Sequence, residues 1–241
     1  FPLHRGWCIW ELFCSIETKT PFEFVLSAKG HDELIADIDH DVNVVLTRML
    51  GQIECENLEC SFPSDRKQIH AAIRQTIGFE NLNSKIFEAL RDWVVKIYSN
   101  ELDRRKAIFG VNAYTTLSCM DNLAILLGNQ ENYQEVEILL FECLEKKIAL
   151  FGLDHTNLLI TIANLANTYQ NLQKYEQAAL FYQECFEKRT KNLGGNHPVT
   201  LLTMYNLANL YYQQAKYLQA EGLARDCYER RKKTIGCNHD D

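Results

Sequence analysis

The chain repeats itself every 42 residues, and that fact alone removes most folds from consideration. Gly110, Gly152, Gly194 and Gly236 stand on one such step, and so do Asn122, Asn164 and Asn206, each followed by Leu-Ala. Tyr133, Tyr175 and Tyr217 keep the register, as do Cys143, Cys185 and Cys227, and His155, His197 and His239. Independent columns at one period mark a repeat architecture. Each unit is too small to bury its own apolar face and stacks on its neighbours to do so.

Each unit predicts a pair of helices. Between residues 151 and 192, Leu158, Ile162, Leu165, Ala166 and Tyr169 recur at spacings of three and four, which is one face of a helix. A polar break at Gln170, Asn171 and Gln173 follows. Tyr175, Ala178, Ala179, Tyr182 and Phe186 then mark a second amphipathic helix that closes at Leu193-Gly194. A glycine just past a helix takes the left-handed conformation without a Cβ clash, and Pro198 opens the next helix where its missing N–H costs little. Only 4 prolines and 11 glycines in 241 residues leave few other breaks, which favours long helices over a many-turned sandwich. The small residues Ala166, Ala208, Ala178 and Ala220 are expected at helix crossings, with Tyr169 and Tyr211 filling space between units. The first unit departs, with Val136 in the alanine column and Leu127 in the tyrosine column.

The stretches NLANTYQNLQKYEQA (164–178) and HPVTLLTMYNLANLYYQQAKYLQAE (197–221) resemble tetratricopeptide repeats, specifically the long 42-residue variety of kinesin light chains. The resemblance covers about residues 109–241. It implies a fold that is all-α in the repeats, a right-handed superhelix (an α-solenoid of helix hairpins) whose first helices line a concave peptide-binding groove. The expected organisation is a non-repeat region, 1–100, then about three units at 109–150, 151–192 and 193–241. The chain begins at Phe1 rather than Met and ends before a capping helix, so it reads as a piece of a longer protein.

In such arrays the asparagine before Leu-Ala is a groove residue, and by resemblance that role passes to Asn122, Asn164 and Asn206. Asn167, Asn171, Asn209 and Gln213 are expected beside them. An asparagine amide both donates and accepts, so it can pair with a peptide backbone whatever its side chains. The competing reading is that these amides only tie neighbouring helices together. Ile125 stands where the later units have asparagine, which makes the first unit's share of the wall more apolar. His155 and His197 precede helix starts and are expected to satisfy loose backbone N–H groups, not to bind metal. The run Arg230 to Lys233 is expected to be a solvated helix end, where cations suit the dipole.

The first hundred residues do not repeat. Helices are expected at Arg5–Ile16, from His31 to about Gln52 (as one or two), at Asp65–Thr76 and from Leu82 to about Phe109. Phe22–Ser27 alternates and is rich in β-formers, a strand candidate, so this region is expected to be a small, mostly helical α/β remnant. Trp7-Cys8-Ile9-Trp10-Glu11-Leu12 resembles the W-C-L-x-E-L motif of plant-type Toll/interleukin-1-receptor-like domains, in whose enzymatically active members the glutamate cleaves NAD. That resemblance reaches Glu11 and no further, and only ten residues precede it. It supplies the enzymatic alternative: the C-terminal part of such an NADase or signalling receptor, with the repeats as its sensor.

The formal charge of -7, with no block of Lys and Arg to neutralise phosphates, argues against nucleic acid. No apolar run approaches the roughly 18 residues of a membrane helix. The nine cysteines include no C-x-x-C pair, so free thiols packed as small hydrophobes in a reducing, cytoplasmic setting are expected, with no zinc ribbon and no cofactor. The resemblance implies protein or peptide partners, kinesin-type motor or cargo adaptors among them. Genuine kinesin light chains carry a heptad coiled coil before their repeats, and residues 1–100 show none. The leading expectation is a non-catalytic protein-interaction scaffold.

Overall fold

The computed structural model describes residues 6–18, 20, 26–50, 55–57, 60, 62–153 and 155–235. Ten α-helices account for nearly all of them, with no strand among the described residues. The chain forms two compact units, Phe1–Asp103 and Arg104–Asp241.

The first unit holds α1 (Gly6–Thr18), α2 (Ala28–Leu50), α3 (Pro63–Gln75) and most of α4 (Phe79–Phe109), with a single 3-10 turn at Cys55–Asn57. Its core is built from one face of each helix: Leu12 and Phe13, then Leu34, Ile38, Val42 and Val45, then Ile69 and Ile73, then Leu82, Ile86, Leu90 and Val94. Helix α2 is two helical halves. Asp41 interrupts it in an extended conformation (φ -159°, ψ 103°), and its carboxylate accepts from the N–H groups of Asn43 (2.9 Å) and Val44 (3.2 Å), capping the second half. The buried Tyr98 hydroxyl donates to Asp39. Of the strand expected at Phe22–Ser27, residues 22–25 lie outside the described residues, and Leu26 and Ser27 are in no strand. The α/β character therefore finds no support, and what is described of this unit is helical.

The second unit contains three helix pairs: α5 (Tyr114–Gly128) with α6 (Tyr133–Phe151), α7 (Leu158–Asn171) with α8 (Tyr175–Leu193), and α9 (Pro198–Gln213) with α10 (Tyr217–Ile235). Each helix packs on the next, and α5 also touches α7, which is the adjacency of an all-α solenoid. Ala166 and Ala178 are fully buried, and Ala208 and Ala220 nearly so, as close helix crossings require. Val136 and Leu127 are buried in their place in the first pair. Gly110, Gly152 and Gly194 end their helices at φ of 90°, 82° and 91°. The column thiols of Cys143, Cys185 and Cys227 are buried and free, each donating to a carbonyl of the first helix (Leu117, Leu159 and Leu201, 3.3–3.5 Å). Burial pushes the Cys143 thiol up to about 12.

Candidate functional site

The three first helices, α5, α7 and α9, contain one formally charged residue between them, Asp121. The second helices carry the rest of the array's helical charge. The first helices therefore present a wall of uncharged groups. Ser118, Ile160 and Leu202 form one column at the 42-residue step, with Ile160 and Leu202 about half exposed (52% and 48%). Asn122, Asn164 and Asn206 form the next, each half-buried. Ile125, Asn167 and Asn209 form a third.

The predicted amides are not equivalent. Asn164 Nδ2 is buried with no hydrogen-bond acceptor among the described residues. Asn167 is exposed, and its Oδ1 accepts from the Tyr182 hydroxyl, tying α7 to α8. Gln170 Oε1 lies 3.0 Å from the same hydroxyl and shares its single proton, and burial holds the phenol well above its ordinary range. Asn171 donates to the Asn167 carbonyl of its own helix (3.0 Å). Gln213 accepts from Gln170 Nε2 (2.9 Å), linking α9 to α7. Asn209 is exposed in a notch of about 420 Å³ walled by Tyr205, Tyr212 and Tyr217. The seven residues thus lie on the three first helices, with Asn122, Asn167, Asn171 and Gln213 already engaged inside the protein.

A second set escaped the sequence reading. Arg105, Lys147 and Arg189 fall on the 42-residue step and are all buried (8%, 2% and 9% exposed). Each reaches across an inter-unit loop to the carbonyl ten residues on: Thr115, Asn157 and Val199, all at 3.2 Å. Lys147 also donates to Thr161 Oγ1 (2.9 Å), and Arg189 to Thr203 in the corresponding place. These side chains pin each hairpin to the next. Lys147 is further paired with Asp121, which accepts from Thr161 as well (2.8 Å). Burial pushes the Asp121 carboxyl up, against the opposing pull of the Lys147 ammonium.

Arg231 is the fourth member of this column. It is half-buried over the Tyr205 ring (5.6 Å), while Arg230 pairs with Asp226. The basic run is therefore solvated only at Lys232 and Lys233. His155 and His197 accept from the N–H groups of Asn157 (3.1 Å) and Val199 (3.4 Å), as helix-start residues should. His239 lies outside the described residues.

Glu11 is exposed on α1, and the side chains of Trp7, Cys8 and Ile9 fall outside the described residues. No strand occurs among the described residues, and the resemblance around Glu11 finds no support in them. No cluster of metal-ligating side chains occurs among the described residues, and none of their helices is long and apolar enough to cross a membrane.

Residues 116–157 and 157–233 match family models of the tetratricopeptide repeat. Among solved structures, the chain is similar to the nearly identical TPR-like repeats of a kinesin light chain-type protein from Podosopora anserina. The identity is 16%, covering 85% of this chain and 94% of that one, with a TM-score of 0.55. It is also similar to BtubC (BKLC) from P. vanneervenii, at 15% identity over 84% of this chain and 77% of that one, TM-score 0.56. At these identities the likeness is one of fold. No curated protein matches the sequence.

Proposed function

Because residues 116–233 are tetratricopeptide repeats, we propose that the array is a non-catalytic scaffold whose first-helix wall is the concave face and binds extended segments of partner proteins. The observation that carries this is Asn164 Nδ2, a buried donor left without an acceptor in the middle of the asparagine column. A buried amide N–H with no partner costs on the order of 1–3 kcal/mol, a cost that a carbonyl of a bound peptide backbone would relieve once the half-buried side chain turns its amide outward. The uncharged wall supports a backbone-reading mode, since it offers no ion pair to select acidic or basic side chains. The kinesin light chain description of the structural neighbours makes segments of kinesin-type motors and cargo adaptors the first ligands to try.

The test is to select an extended peptide from a random library on the full chain, then measure its affinity for variants. Asn164→Ala and Asn206→Ala should each weaken binding by roughly 5- to 150-fold, the loss of one hydrogen bond to a buried group. Melting temperature should hold, since Ala is the better helix former. Binding should also hardly change with added salt, because no exposed charge on the wall is there to be screened. Variants that melt early yet bind normally would reassign these residues as ties between helices.

A further inference from the structure

The second helices carry a feature that the repeat symmetry exposes. At the junction of the first and second pairs, Tyr169 is buried between two rings. Phe141 meets it edge-on (centroids 6.3 Å apart, 71°), and Phe181 stacks on it (5.5 Å, 7°). Lys174 lies over the same ring and pairs with Glu137.

One repeat later the frame recurs. Lys216 lies over the Tyr211 ring (5.8 Å) and pairs with Glu176 (3.3 Å). The filling does not recur. Gln183 stands in the column of Phe141 and Leu223 in that of Phe181. Gln183 leans over to donate to the Tyr211 hydroxyl (2.6 Å), and Tyr211 is left half-buried. An open notch of about 700 Å³ results, lined by Leu180, Gln183, Tyr211, Lys216, Tyr217 and Leu218. Its apolar rim faces solvent, with Leu218 88% and Leu180 67% exposed.

We propose that this notch is a docking site for an aromatic side chain presented by a protein partner, which takes against Tyr211 the place that Phe141 takes against Tyr169. The preceding junction shows what the position accepts: a ring, edge-on to the tyrosine, beneath a lysine. Aromatic pairs in this offset or edge-on arrangement gain beyond their buried area, and a buried aromatic anchor ringed by apolar contacts is the usual centre of a protein interface. The volume exceeds that of one ring and admits the residues flanking it in a peptide. None of the seven residues of the asparagine wall lines the notch, although Tyr217 borders both this notch and that of Asn209.

The experiment titrates N-acetyl-phenylalaninamide into the full chain carrying methyl-labelled leucines and follows the NMR signals of Leu180 and Leu218. Saturable ring-current shifts at both are expected, with no comparable titration by N-acetyl-leucinamide. Gln183→Phe should show similar shifts without any probe, melt at a higher temperature and no longer respond to the probe. Leu180→Ser, a change at an exposed position that leaves the fold intact, should weaken the titration, whereas Asn164→Ala should leave it unchanged. The proposal is overturned if the two leucines do not titrate, if the leucine analogue titrates them equally, or if a folded Gln183→Phe binds the probe like the parent. If Gln183→Phe does not fold, an undiminished titration in Leu180→Ser overturns it instead.

Discussion

Lys147 is 2% exposed and formally charged, and it is tolerated only because three oxygens surround its ammonium group: Oδ2 of Asp121, the Asn157 carbonyl and the Thr161 hydroxyl. Removing one partner of a buried pair strands the other, which costs about 3–5 kcal/mol. Lys147→Ala should therefore lower the free energy of unfolding, measured by urea titration, by roughly that amount. Lys174→Ala breaks a pair whose lysine side chain is 43% exposed, so it should cost less than about 1 kcal/mol. The column Arg105, Lys147, Arg189 and Arg231 was visible in the sequence as one basic residue per repeat. Its role was not, because a cation near a helix end usually faces water, and only the folding of the next loop over it decides otherwise. The amides were legible as a column for the opposite reason: each sits at a fixed offset from Leu-Ala, inside an unbroken helix.

Helices were the most legible scale, since the 3.6-residue pattern breaks at a glycine between units (Gly110, Gly152 and Gly194), joined at the last of these by Pro198. The turns inside the hairpins were not. Glu131, Gln173 and Ala215 occupy the left-handed region at φ of 62°, 58° and 59°, one per repeat, and none is glycine. In the second and third pairs, the N–H of the following lysine reaches back to the carbonyl of Tyr169 or Tyr211 (2.9 Å each), the closure that ends a helix through one left-handed residue. A side chain there costs about 1–2 kcal/mol in conformational strain, partly offset by the lower entropy of the unfolded chain relative to glycine. Ala215→Gly should therefore raise stability by up to about 1 kcal/mol. Gly194→Ala, where φ is 91°, should lower it by about 1–2 kcal/mol. Thermal melts of the two variants should move in opposite directions. In the first unit, α3 starts two residues before the expected Asp65 and α4 three before Leu82. Pro63 fits the first turn of α3, and Gly78, at φ 76°, precedes α4.

Across the repeat array, charge is sorted by layer. The first helices hold Asp121 alone and turn it inward, while the second helices hold acidic and basic residues in pairs such as Lys146 with Glu142, Lys188 with Glu184 and Arg225 with Glu221. The first-helix wall consequently has no electrostatic signature of its own, whatever the net charge of the whole chain. This is why the charge balance argued against a phosphate-binding surface without naming a partner. A charge balance identifies a phosphate- or acid-binding surface, but a neutral amide wall leaves no mark in it. The repeat period located that wall, and the packing of the units then separated the engaged amides from the unsatisfied one at Asn164.

The pins between hairpins have a consequence for how such a chain can lengthen or shorten. Each donor reaches a backbone carbonyl, which any residue supplies, ten positions on, and in the two later pins a threonine fourteen on. Excising residues 151–192 joins Leu150 to Leu193 and sets Lys147 ten residues before Val199 and fourteen before Thr203, the partners that Arg189 holds now. The spliced chain should keep its helical signal and a cooperative melt at a lower temperature, as fewer interfaces remain. Excising one residue more, 151–193, shifts the register and should melt lower still. A copying or deletion event of 42 residues is thus repaired by the geometry at the moment it occurs, without any compensating substitution.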